Sequence, residues 1–172
     1  FFDPTLNAHH HERITLENDL RNALLRGEFE LHYQPQVSVA RRQIVGMEAL
    51  LRWRHPVLGA LSPNTFIQVA EELGMIGEIS RWVMEEACTQ LAQWRSAGHL
   101  ELRMSVNLSP LDFDKRDIVS SITECLARHA LPLCQIELET TESLMMNDTA
   151  DVATKVRELR SAGLSVAIDD FG

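Results

Sequence analysis

The sequence feature that most constrains the fold is a repeated unit in which a short apolar strand is followed by a helical segment. Strand patterns cover residues 102–108, 135–140 and 164–170, and apolar residues recur at helical spacing between them. Strands and helices that alternate in this way form a mostly parallel sheet, because each helix returns the chain to the start of the next strand. We therefore predict an α/β fold.

The first part of the chain departs from this repeat. Residues 29–37 and 46–53 both alternate as strands, and the link between them is too short for a helical crossover, which favours an antiparallel pair. Ahead of them we predict a polar linker over residues 1–11 and a lead-in helix over residues 12–27 that ends at Gly27.

Composition excludes several classes of protein. The chain has 172 residues, of which 45% are hydrophobic and 24% are charged, as in an ordinary globular domain. No apolar run approaches the ~18 residues of a membrane span. The net charge of −9 argues against a partner that is a DNA or RNA duplex. Cys88, Cys125 and Cys134 are odd in number and lack a CxxC spacing, which predicts buried free thiols in a reducing cytoplasm.

Polar residues gather near the carboxyl ends of the predicted strands, where parallel α/β barrels build their sites. The residues concerned are Glu48, Asn107, Glu139, Asp169 and Asp170. Two carboxylates ~4 Å apart repel by roughly 4 kcal/mol at an effective dielectric constant of 20, and Arg52 supplies only one positive charge. Oxygen ligands without His or Cys suit Mg²⁺ or Mn²⁺. The pattern predicts a site for two divalent cations.

Each of these residues also has an alternative role. Glu48 and Arg52 share a strand face and could form an internal ion pair. Asp169 and Asp170 could belong to a turn or a helix cap, and Asn107 could bond the backbone before a turn. Each alternative explains one position, whereas the metal site explains the whole set.

Five ordered motifs together resemble the EAL family of cyclic-di-GMP phosphodiesterases. They are Tyr33-Gln34-Pro35, Glu48-Ala49-Leu50-Leu51-Arg52-Trp53, Ser105-Val106-Asn107-Leu108-Ser109, Glu139-Thr140-Thr141-Glu142-Ser143 and Asp169-Asp170-Phe171-Gly172. The resemblance runs from the lead-in helix onward, so that residues 28–172 match the N-terminal part of the domain. The first four residues resemble the end of a preceding diguanylate-cyclase (GGDEF-type) domain.

The resemblance implies a modified TIM (β/α)₈ barrel with one antiparallel strand. It implies hydrolysis of cyclic di-GMP to linear 5′-pGpG with two Mg²⁺ or Mn²⁺ ions. The implied metal ligands are those named above, and among them Glu48, Asp169 and Asp170 are the catalytic set, with Asp170 touching both ions. Gln34 and Arg52 match substrate-contacting positions, and Glu142 matches a glutamate that steadies a loop near the metals.

The sequence departs from the family pattern at two points. Thr140 stands where an aliphatic residue is common. The chain also stops at Gly172, at about the fifth or sixth strand of a barrel that takes roughly 250 residues. The family's catalytic lysine lies downstream, so no residue here can be assigned to it. We expect the isolated chain to be inactive.

Two functions remain open at this stage. One is a cyclic-di-GMP phosphodiesterase. This function is favoured because every metal-ligand position of the family pattern that falls within this sequence is intact. The other is a degenerate EAL domain that binds cyclic di-GMP as a sensor. A protein kinase is suggested only by Asp170-Phe171-Gly172 and lacks the preceding catalytic loops. The resemblance also implies homodimers and a cytoplasmic domain, in a parent protein that is either free or membrane-tethered.

Overall fold

The computed structural model describes residues 4–113, 117–141 and 150–169. The described residues form strands and helices that alternate through most of the chain. In chain order these are α1 Pro4–Ala23, β1 Phe29–Ser38, β2 Gln43–His55, β3 Gly59–Leu61, α2 Pro63–Glu72, α3 Ile76–Ser96, β4 Arg103–Asn107, α4 Pro110–Phe113, α5 Ile118–Arg128, β5 Ile136–Thr141, α6 Ala150–Ser161 and β6 Ser165–Asp169. The predicted α/β alternation is confirmed.

Two local predictions need correction. Helix α1 begins at Pro4 and not at Glu12, so residues 4–11 are helical. Proline is well suited to the first position of a helix, because its fixed φ matches the helix and its missing N–H would have no partner there. The role of this segment as a linker between domains stays a prediction. Strand β3 was not predicted, since three residues are too few to show an alternating pattern.

The chain divides into two compact units, and the first contains Phe1–Glu30 and Leu51–Ile79. Trp53 is fully buried at its centre, where its ring lies 5.9 Å from that of Phe29 and 5.5 Å from that of Phe66. The indole N–H donates to Glu28 Oε2 at 2.9 Å, which satisfies its polar atom. The short β3 pairs antiparallel with the end of β2 in the register Trp53 with Leu61.

The second unit contains Leu31–Leu50 and Ser80–Gly172 and holds the parallel part of the sheet. The strand order is β1-β2-β4-β5-β6, and the pairs β2–β4, β4–β5 and β5–β6 are parallel. Met104 and Ile136 are register partners on one side of the sheet, and both are fully buried. This apolar side fixes the register, because a slip by one residue would expose it.

A tight turn joins β1 to β2. The two strands are neighbours in the sheet, and only four residues separate Ser38 from Gln43. Arg42 has a φ of 51°, and its N–H donates to the carbonyl of Ser38 at 2.7 Å. A link this short permits only an antiparallel pair, as predicted.

Among the helices described, none combines the length and apolar character that a membrane crossing requires.

Candidate metal and substrate site

The register of the parallel strands places three of the predicted ligands on one face of the sheet. Paired residues on neighbouring strands point to the same side, and residues two apart on one strand share a face. The pairs that establish this are Glu48 with Ser105 and Asn107 with Glu139. Glu48, Asn107 and Glu139 therefore share the side opposite to the apolar side of β4 and β5.

Glu48 and Asn107 are in direct contact across two strands. The side-chain amide Nδ2 of Asn107 donates to Oε1 of Glu48 at 3.0 Å. This bond uses the amide nitrogen of Asn107, and the amide oxygen is the atom that a cation would take. The two predicted ligands thus lie within the span of one metal site, since Mg²⁺ holds its oxygen ligands at about 2.1 Å.

Glu139 is a buried carboxylate held by a residue that the sequence analysis did not single out. Glu139 is only 8% exposed. The side-chain amide Nε2 of Gln36 donates to Oε1 of Glu139 at 3.4 Å. The same Gln36 nitrogen lies 3.1 Å from the hydroxyl of the fully buried Ser105. Gly46 leaves room for this side chain, because a Cβ there would lie 2.6 Å from Gln36 Oε1. The signal in the sequence was the alternation of β1, which puts Gln36 on the face of Gln34.

The remaining predicted residues are placed in different ways. Gln34 is exposed on β1. Arg52 belongs to the first unit, is half-buried, and donates from Nη1 to the carbonyl of Leu51 at 2.7 Å. Asp169 ends β6, but its side chain lies outside the described part of the structure, as do Asp170 and Glu142. Their roles stay predictions.

A second group of potential ligands lies on helices α3 and α5. Within the described residues, Glu85, Cys125 and His129 form a set whose ligand atoms lie within 4.8 Å of one another. The sequence analysis treated the cysteines only as buried thiols. That is right for Cys88 and Cys125 and wrong for Cys134, which is exposed, and all three are free. The missed signal was the spacing of four residues between Cys125 and His129, which puts both on one side of a helix.

Comparison with known proteins gives consistent matches along the whole chain. The EAL domain family model matches residues 17–172. The bifunctional diguanylate cyclase/cyclic di-GMP phosphodiesterase MucR of Pseudomonas aeruginosa is 41% identical over 172 residues, which is 100% of this chain and 25% of that protein. The cyclic di-GMP phosphodiesterase NbdA of the same organism is 37% identical over 172 residues, which is 100% of this chain and 22% of that protein.

A solved structure, that of the PaMucR phosphodiesterase in complex with c-di-GMP, shares the fold with a TM-score of 0.88 and 41% identity. The match covers 92% of this chain and 64% of that one. The chain spans about a quarter of the length of the curated MucR protein. Its parallel sheet and alternating helices are those of the TIM-barrel-like α/β fold predicted above. On the family match and these likenesses, the chain belongs to the EAL domain family.

Proposed function

We propose that the protein containing this chain hydrolyses cyclic di-GMP to linear 5′-pGpG in bacterial second-messenger signalling, using two divalent cations, Mg²⁺ or Mn²⁺. Membership of the EAL family and the relatives named as cyclic di-GMP phosphodiesterases support this proposal. The observation on which it depends is the single sheet face shared by Glu48, Asn107 and Glu139.

The residues on this face fit a hard divalent cation. Glu48 and Glu139 offer carboxylate oxygens, and Asn107 offers an amide oxygen, which are the donors that Mg²⁺ and Mn²⁺ prefer. The donor that Gln36 directs at Glu139 is a neutral amide, so it orients the carboxylate and leaves its charge in place. Asp169 and Asp170 would complete the ligand set.

Each side chain has a defined task in this proposal. When bound, the two cations would activate a water and stabilise the attacking and leaving oxygens of an in-line displacement at phosphorus. Asn107 orients Glu48 through their hydrogen bond. Arg52 would donate a charge-assisted hydrogen bond to a phosphate of the substrate, and the exposed Gln34 would contact the same ligand. Glu142 would steady a loop beside the metals.

The test is product analysis with the full-length protein. We expect Mn²⁺- or Mg²⁺-dependent conversion of cyclic di-GMP to 5′-pGpG, resolved by liquid chromatography. Removing a ligand charge by Glu48→Gln should lower the turnover on the order of 10²-fold or more, because losing even an outer partner of a ligand costs 10–100-fold. Glu158→Gln makes the same charge change on the exposed side of α6 and should leave turnover intact.

Tight binding of cyclic di-GMP without any product would contradict the enzyme and support the sensor alternative. Equal loss of turnover in Glu48→Gln and Glu158→Gln would contradict the metal site.

We further propose a cytoplasmic domain, a homodimer and a preceding GGDEF-type domain joined through residues 1–11. The bifunctional name of MucR supports the last of these. Light scattering of the purified protein would test the dimer.

A further inference from the structure

Helices α3 and α5 bring together three side chains that commonly bind transition metals. Glu85 lies on α3, Cys125 lies on α5, and His129 directly follows the end of α5. Nε2 of His129 lies 2.7 Å from Oε1 of Glu85, and the thiol of Cys125 lies 3.2 Å from Oε2 of Glu85. All three ligand atoms lie within 4.8 Å of one another. We call these residues the α3–α5 cluster.

The cluster is closed towards the core and open towards solvent. Cys125 is 4% exposed, whereas the side chains of His129 and Glu85 are 20% and 43% exposed. A cation could therefore reach the sulfur past the two outer side chains without any opening of the helices. This combination of an inner thiol and two outer ligands differs from an ordinary surface ion pair, in which both partners are solvated.

Cys88 lies one helical turn beyond Glu85 on α3 and contacts the sulfur of Cys125. Cys88 is fully buried, and its S–H donates to Cys125, so that this hydrogen bond and burial raise the pKa of Cys88. The thiol of Cys125 donates to Oε2 of Glu85 at 3.2 Å, so its sulfur already faces another ligand of the cluster.

Arg128 is the charge that competes for this cluster. Its Nη2 donates to Oε2 of Glu85 at 2.6 Å, and with His129 it lowers the pKa of Glu85 to about 2. Glu85 is thus ionised at neutral pH and balanced by a guanidinium. The side chain of Arg128 is 57% exposed. It can therefore move into solvent when a metal cation binds Glu85.

We propose that Glu85, Cys125 and His129 form a binding site for one divalent cation of the zinc class. Zinc holds sulfur at about 2.3 Å and nitrogen or oxygen at about 2.0–2.2 Å, so its tetrahedral ligands lie roughly 3.5 Å apart. The cluster meets this spacing with small side-chain shifts. Thiolate and imidazole favour zinc over Mg²⁺, so the site is chemically distinct from the oxygen ligands at the strand ends. The proposal does not depend on the proposed function.

The test is a titration of the full-length protein, stripped with a chelator, with Co²⁺ as a spectroscopic substitute for zinc. We expect a near-ultraviolet sulfur-to-cobalt charge-transfer band that saturates at one equivalent per chain and is abolished by added Zn²⁺. The oxygen-only ligands at the strand ends cannot produce this band. Cys125→Ser should remove it, whereas Cys134→Ser, which changes an exposed thiol, should retain it.

Two further variants protect the test against a simple loss of folding. His129→Ala changes a partly exposed residue beyond the helix and should weaken Co²⁺ binding by tenfold or more, with an unchanged circular dichroism spectrum. Arg128→Ala removes the competing cation and should tighten the binding. The proposal is overturned if the wild type shows no thiolate band, if the band survives in Cys125→Ser, or if Arg128→Ala binds Co²⁺ more weakly than the wild type.

Discussion

The buried hydroxyl of Thr140 offers a sharp test of how the sheet is stabilised. Thr140 lies on β5, is 2% exposed, and is the register partner of Ile168 on β6. It follows Ile136 and Leu138 on the apolar side of the strand, and both of these are fully buried. Its Oγ1 has no hydrogen-bond partner among the described residues. Within the described residues, burial of this hydroxyl therefore costs its hydration without a compensating hydrogen bond.

The expected magnitude follows from this environment. An unpaired buried hydroxyl costs about 1–3 kcal/mol in protein mutational data. Thr140→Val replaces it with a methyl group of similar size and keeps the β-branched shape that suits a strand. We therefore expect the free energy of unfolding to rise by about 1–3 kcal/mol. For a domain of 150–250 residues, each kcal/mol corresponds to about 2–4 °C in the midpoint of thermal unfolding.

Differential scanning calorimetry of the full-length protein, following the transition of this domain, is the measurement. Thr140→Ser keeps the hydroxyl and loses a methyl group, so it should lower the midpoint. Thr123→Val is the matched control, because the hydroxyl of Thr123 donates to the carbonyls of Val119 and Ser120 and its loss should bring no gain. If Thr140→Val stabilises no more than Thr123→Val, the hydroxyl is not an unpaired group and the reasoning is wrong.

Three other predictions follow from the same unit. Gly46→Ala places a Cβ 2.6 Å from Gln36 Oε1 and should lower the free energy of unfolding by about 1–3 kcal/mol, with a smaller loss in a Gln36→Ala background. Strictly additive effects in calorimetry would show that the two residues do not clash. Burial, followed by the charge of Glu86, raises the pKa of Tyr33, the chain's one tyrosine, to about 12. Its stabilising contribution is therefore complete below pH ~10 and is lost as the pH rises through the folded value, since the unfolded pKa is about 10. An ultraviolet difference titration against Tyr33→Phe should show the higher midpoint when folded and the lower one in urea, and equal midpoints would count against burial. Finally, Glu139→Gln should raise the Mn²⁺ concentration for half-maximal turnover by roughly 10–100-fold, and an unchanged value would exclude Glu139 as a ligand.

The parts of the fold that sequence alone predicted are those set by local patterns. On β2, alternation assigns Val45, Met47, Ala49, Leu51 and Trp53 to the apolar face. The last three are buried, and the first two are half-buried. The same rule put Glu48 and Arg52 on the opposite face, where both are half-buried. Such predictions succeed because the side-chain period of a strand is two whatever the rest of the chain does.

The parts that sequence missed depend on contacts between distant residues. His55 is 3% exposed, and the local pattern of β2 does not show what its ring contacts. Its Nδ1 accepts from the N–H groups of Val57 and Leu58, so Nε2 carries the hydrogen and donates to Asp19 Oδ2 at 3.1 Å. Nothing near position 55 identifies Asp19 as the partner. The Gln36–Glu139 contact, between residues 103 positions apart, was missed for the same reason.

The candidate site at the strand ends is a consequence of core packing. Glu48, Asn107 and Glu139 share a face only because β2, β4 and β5 pair in the observed register. A slip of one residue between β4 and β5 would turn Glu139 into the apolar side and Leu138 out of it. The cost of exposing the fully buried Leu138 is about 1.5–3 kcal/mol, so the apolar side holds the acidic side in place.

Ligand chemistry also determines how the two proposed metal sites can coexist on one chain. The strand-end set, from Glu48 to Glu139, consists of oxygen donors, which suit Mg²⁺ and Mn²⁺. The α3–α5 cluster adds a thiolate and an imidazole, which raise the affinity for zinc far above that for Mg²⁺. Zinc at low concentration would therefore occupy the cluster first, before it displaces Mg²⁺ from the strand ends. Turnover in Mg²⁺ should accordingly survive one equivalent of Zn²⁺ in the wild type and fall in Cys125→Ser, and equal inhibition of both proteins would argue against this order of filling.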